Sequence, residues 1–203
     1  MRELMRSEWA GFLRRGLWVW PGLIFLVGII VITAVAASAE HWAYRLLTPS
    51  LVLLSVCFGW LITSATPPSS WRITVVAVGG LERALVARWL CVLAAVVPAL
   101  IATWFTSEIA RQSAPGQSGL WWAGIWLHLL AAVFGGSLGL LLATTVTEEA
   151  GSPALPRVAQ LRAVGFGVAG ALFALLPYVG VLGAFLFFLG TILTALTALT
   201  RAS

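Results

Sequence analysis

Residues 47–65 read LTPSLVLLSVCFGWLITSA, from Leu47 to Ala65, without one charged side chain. About 20 mostly apolar residues in a helix cross the hydrocarbon core of a bilayer, whereas buried helices of soluble domains carry shorter runs. Five other stretches follow the same rule: Leu17 to Ala37, Leu85 to Phe105, Leu120 to Val146, Ala163 to Leu176, and Val181 to Thr200. Pro177, Tyr178 and Gly180 interrupt the last apolar region and predict two helices in a tight hairpin. Its first arm is short for a full crossing, so a tilted or re-entrant helix is an alternative there.

Composition agrees: 61% of the 203 residues are hydrophobic and 9% charged, against roughly 45–50% and 25% in soluble domains. The expectation is an all-α integral membrane protein, 1–203 forming a single transmembrane domain of about six helices. Every basic side chain is arginine and every acidic one glutamate. Without lysine the chain has no Walker-type phosphate loop, and without aspartate it lacks the usual magnesium-holding partner and any aspartate-rich metal site. A pI near 10.6 suggests nucleic acid in a soluble protein, but these arginines flank apolar runs and set topology instead. Cys57 and Cys91 both fall inside apolar segments, which predicts buried free thiols and no metal site.

Positive residues stay on the cytoplasmic side. An inside amino terminus and six spans put Arg2, Arg6, Arg14, Arg15, Arg72, Arg83, Arg88, Arg157, Arg162 and Arg201 inside, and only Arg45 and Arg111 outside. Both termini are therefore expected to be cytoplasmic. Ala37-Ser38-Ala39 fits a small-residue cleavage site, but the preceding apolar run is longer than a typical signal core and reads as an uncleaved first span. Trp18, Trp20, Trp42, Trp71, Trp89, Trp104, Trp121 and Trp122 gather toward span ends, where indoles anchor at headgroup level.

Two segments outside the spans stand out. In residues 1–15, Met5, Trp9, Phe12 and Leu13 share a helical face, with Arg6, Arg14 and Arg15 elsewhere on the wheel; this predicts an amphipathic interface helix. Residues 66–84 form a connection opened by Pro67-Pro68 and interrupted by Gly79-Gly80. Its Ile73 to Val78 run is too isolated for a sheet and reads as a short helix at the interface, presented to a cytoplasmic partner.

This arrangement resembles the permease subunit of a type-2 ATP-binding-cassette exporter: an interface helix carrying Arg6-Ser7-Glu8-Trp9 to Arg14-Arg15, six spans with both ends inside, and a cytoplasmic segment between spans two and three. The resemblance covers most of the chain. In place of that family's acidic-Gly-Ser/Thr-Leu-Glu-like run stands Trp71 to Leu81, and the connection between spans five and six is very short. The resemblance implies that a separate cytoplasmic ATPase subunit binds ATP and Mg, leaving this chain with no cofactor and no catalytic site. It assigns the ATPase contact to the coupling segment at Val75, Val78, Gly79, Leu81, Glu82 and Arg83, and to Glu148 and Glu149. It also implies a second permease copy or a homologous permease, the lipid bilayer as the other partner, no nucleic acid, and a multi-pass location in the bacterial cytoplasmic membrane. The cargo is expected to be hydrophobic or amphiphilic. The alternative is a non-transporting membrane scaffold or assembly factor, which shares the topology and needs no coupling segment.

Within the spans, Gly135 and Gly139 make a small-xxx-small pair, a dimer or packing face. His128 is ionisable inside a span and either marks a pathway or hydrogen-bonds to a neighbouring helix. Gly135-Gly136-Ser137-Leu138-Gly139 matches a nucleophile pattern, but a serine hydrolase needs a strand-to-helix turn and a histidine within reach, and His128 is nine residues away on the same helix. No span carries an acid near its centre, which removes the usual carriers of a coupled ion.

Overall fold

The computed structural model describes residues 2–14, 16, 18–37, 41–64, 75–76, 79–113, 124–149 and 156–200, with most of their side chains. The helices are α1 (Arg2–Arg14), α2 (Val19–Ala37), α3 (Leu47–Ser64), α4 (Leu81–Ser113), α5 (Gly124–Glu149), α6 (Pro156–Phe173) and α7 (Val181–Thr200). Short 3-10 turns at His41–Leu46 and Leu176–Tyr178 precede α3 and α7. There is no strand among the described residues.

Four helical stretches are long and apolar enough to cross a membrane: Tyr44–Ser64, Arg83–Ile109, Ile125–Ala143 and Val181–Ala198. Those in α2 and α6, Val19–Val35 and Val164–Tyr178, are shorter. The chain is thus an all-helical protein with the spans a membrane protein requires. Helices outrun the apolar stretches that mark them, because backbone hydrogen bonding does not stop where hydropathy falls. The 33 residues of α4 rise about 50 Å, well beyond the roughly 30 Å hydrocarbon core. Two helices extend well past their apolar stretches. Glu148 and Glu149, past the apolar run that ends at Val146, are still the last residues of α5, and α6 begins at Pro156, seven residues before the apolar run that starts at Ala163. Proline suits a first helical position, where its fixed φ is already helical and its missing N–H is not needed.

The most intimate pair is α3 with α5. A Cβ on Gly135 would sit 2.6 Å from the Val52 carbonyl oxygen and 2.8 Å from Ser55 Cβ; one on Gly139 would overlap the Val56 carbonyl oxygen; one on Gly59 would sit 2.8 Å from the Gly136 oxygen. Only hydrogen fits at these positions, so the two backbones touch. Lipid is as apolar as leucine, and such close van der Waals contact is what holds helices together there. Gly135 and Gly139 therefore spend their face on α3 of the same chain, and both are buried.

On the other side of α5, Phe134, Phe173 and Phe187 form a triangle with ring centroids 5.5 to 5.7 Å apart, joining α5, α6 and α7. Phe187 is fully buried. The α6–α7 hairpin is as tight as Pro177 and Gly180 predict: Gly180 has φ 150°, and Gly183 lies so close to the Leu176 carbonyl that a Cβ there would overlap it. Tyr178, in this turn, hydrogen-bonds through its hydroxyl to Thr48 Oγ1 at 2.6 Å.

Polar side chains in the bundle are mostly satisfied by their own helices. Ser55, Thr63, Thr103 and Thr191 each donate to the carbonyl four residues back, at 2.6 to 2.8 Å. A hydroxyl satisfied this way enters an apolar medium at low cost. Burial separates centre from rim: 67% of the apolar window in α3 is buried, against 22% in α7. Outer surfaces of α2 and α7 carry many large apolar side chains, with Trp20, Ile24, Val27, Leu182, Phe185 and Leu193 all exposed.

Candidate functional site

At the end of the bundle where α4 begins, three segments converge. Val75 and Val76 are helical, the Gly80 N–H donates to the Val75 oxygen at 3.1 Å, and the Gly79 N–H to the Val76 oxygen at 3.2 Å. Gly79 has φ 79°. This is the paired hydrogen bonding of a Schellman cap, whose left-handed residue glycine adopts without strain. The segment before α4 therefore ends as a helical turn. Val75 packs on Ala84 and Ala87 in the first turns of α4, and Met5 of α1 packs on the same two alanines.

The inner face of α1 continues upward through Trp9 and Phe12. Phe12 is only 2% exposed and meets the Phe58 ring of α3 edge-on at 5.5 Å; such geometry favours the aromatic pair beyond its buried area. The Cys91 thiol donates to the Met5 carbonyl at 3.7 Å. Arg6 and Arg14 point outward. The apolar face of α1 thus docks on protein, with one correction to its membership: Leu13 is 44% exposed and belongs to the outer side, because it sits about 100° round the helix from Phe12.

The expected ATPase contacts sort as follows. Val75 faces inward and half-buried, while Gly79 and Arg83 are exposed. Val76, which the sequence did not single out, is 81% exposed. Leu81 and Glu82 open α4, and Glu148 and Glu149 close α5; the side chains of these four, like all of Arg15 and Val78, lie outside the described residues. Outwardness of Val76 follows from its neighbour, since Val75 is taken by Ala84 and Ala87.

His128 lies far from this cluster. It is buried, and its Nε2 is 3.3 Å from Ser107 Oγ on α4, roughly 36 Å along that helix from Arg83 at 1.5 Å per residue. The contact joins two helices at the opposite end of the bundle. Ser137, centre of the nucleophile-like pattern, is fully buried and accepts a hydrogen bond from Trp89 Nε1 at 3.0 Å; Trp89 thereby points into the bundle instead of anchoring at a surface. No group of three or more His, Cys or Glu side chains that could hold a metal occurs among the described residues.

The two cysteines separate. Cys91 is buried as expected, but Cys57 is exposed, because it lies on a side of α3 that none of the described helices covers. Comparison of the chain with protein-family models, curated proteins and solved structures finds no match.

Proposed function

We propose that the chain is the permease subunit of an ATP-binding-cassette exporter in a bacterial cytoplasmic membrane, with six spans and both termini inside. Its energy comes from ATP hydrolysed, with Mg, by a separate cytoplasmic subunit. The observation that carries this reading is the convergence at Ala84 and Ala87, where an amphipathic helix and a capped helical turn rest on the first turns of the same long membrane helix. A force applied at Val76 or Arg83 reaches α4 through its own backbone and α1 through Met5. The arginine distribution supports placing this end in the cytoplasm. A hydrophobic or amphiphilic cargo fits a chain whose spans offer no central charge.

The test is purification of the tagged chain from its native host in mild detergent, with co-purifying proteins identified and assayed for ATP hydrolysis. Stoichiometric recovery of an ATPase is the expected result. Its absence, under conditions that keep known transporter complexes intact, favours a scaffold or assembly factor instead.

A further inference from the structure

Arg88 lies inside the apolar stretch Arg83–Ile109 of α4, yet it is only 4% exposed. A charge within a span faces the bundle interior and is matched there by an opposite charge or by carbonyls. Its own helix offers no acid, since the residues three and four away are Ala84, Leu85, Cys91 and Val92. At 100° per residue Arg88 stands about 40° from Ala84 on one side and about 40° from Val92 on the other. Ala84 and Cys91 meet Met5 of α1, and Val92 lies against Gly136 of α5. Arg88 therefore stands between the α1 contact and the interior of the bundle.

Along α1, Met5 meets α4 and Phe12 meets Phe58 of α3. Between those two contacts in sequence, and within about 60° of both on the wheel, stands Glu8. The Met5 oxygen that accepts from the Cys91 thiol points along α1 toward the turn of Glu8 and Trp9, and Cys91 is three residues from Arg88, a spacing of about 5–6 Å between Cβ atoms. Glu8 has no arginine three or four residues away on α1. All seven acidic residues are glutamates, and the register of the helices sets the other six apart. Glu3 is about 160° round the wheel from Met5, with Arg6 three residues on. Glu82 precedes Arg88 by six residues, about 120° round α4. Glu148 and Glu149 follow Gly136 by twelve residues or more, which leaves them about 12 Å beyond the level of Arg88. Glu108 is about 30 Å along α4, and Glu40 precedes the start of α3 at that same far end.

We propose that Glu8 and Arg88 form an ion pair that latches α1 to α4 at the junction with α3. The side chain of Glu8 lies outside the described residues; its role follows from the register of α1 and from the placement of the other acids. The latch makes α1 and the first turns of α4 one moving body, because lifting α1 strips the carboxylate from a charge held inside the span. An amphipathic helix resting on lipid alone slides or lifts freely; one that carries the counter-charge of a membrane helix does not. No ATPase enters this argument, so the latch stands or falls apart from the permease reading.

Cys91 is 2% exposed beneath α1 and reports on the latch. In membranes containing the full chain with Cys57→Ser, the rate at which a small maleimide labels Cys91 measures how often α1 lifts. Glu8→Gln is expected to raise that rate about tenfold or more, since breaking a buried pair leaves one charge uncompensated. Glu3→Gln, on the outer side, is expected to stay within about twofold of the parent. Exchanging the charges, Glu8→Arg with Arg88→Glu, is expected to bring the rate back toward the parent's. A second measurement does not depend on the charges: in the chain with Cys57→Ser and Cys91→Ser, a short bifunctional thiosulfonate is expected to join Glu8→Cys to Arg88→Cys, with the link located by peptide mass spectrometry, and not to join Glu3→Cys to Arg88→Cys. Parent-rate labelling of Glu8→Gln overturns the proposal and assigns Arg88 to backbone carbonyls instead. Failure of the Glu8→Cys and Arg88→Cys pair to link overturns it equally, as does an exchanged variant that folds and labels as fast as Glu8→Gln.

Discussion

The Tyr178 hydroxyl and Thr48 Oγ1 lie 2.6 Å apart, joining the α6–α7 turn to the first turn of α3 across most of the chain. Thr48 is fully buried, so loss of either hydroxyl leaves the other without this partner. Tyr178→Phe is expected to lower stability by about 1 kcal/mol. Thr48→Val is expected to cost a similar amount, and the double variant little more than either single one. Thermal unfolding of the three in one detergent measures this; full additivity would mean that the pair makes no contribution of its own.

Gly139→Ala is the most disruptive small change available. The added methyl overlaps the Val56 carbonyl, and backbone cannot yield as a side-chain tip can. A cost of about 2–3 kcal/mol or more is expected, seen as lost folded yield. Gly28→Ala is the matched control, since nothing lies within 4 Å of its Cβ position.

Phe12→Ala removes a ring that is 2% exposed and should cost about 3 kcal/mol. Leu13→Ala, one residue on, should stay within about 0.5 kcal/mol. Equal effects would mean that α1 does not dock through the Phe12–Phe58 contact.

Gly79→Ala forces a methyl-bearing residue to φ 79°, at about 1–2 kcal/mol of local strain. The bundle does not depend on this cap, so unfolding should shift little, while recovery of the cytoplasmic ATPase falls. Gly79→Asn, which tolerates the left-handed region, should retain more of it.

Much of this architecture was legible in the sequence. The apolar runs gave the long helices, and Pro177 with Gly180 gave the hairpin, because chain-breaking residues between two apolar stretches have few other uses. Met5, Trp9 and Phe12 were readable as one face by periodicity. What covers that face was not, since a helix wheel has the same pattern whether lipid or protein lies beneath it. The same blindness applies to Gly135 and Gly139: their spacing announces a close approach, and only the fold shows that α3 is what approaches. Glu148 and Glu149 lie past the apolar run yet inside α5, because charge marks the end of an apolar run and not the end of a helix.

Gly59 and Gly139, whose backbones touch, are 80 positions apart. At the usual 5–20 residues per second of synthesis, α3 waits about 4–16 s for its partner after leaving the ribosome. During that interval the face of α3 made by Val52, Ser55, Val56 and Gly59 has no α5 glycines to receive. The tightest contact in the finished molecule is thus unavailable to the early nascent chain, and a variant that slows its closing would be seen first by the cell's quality-control proteases.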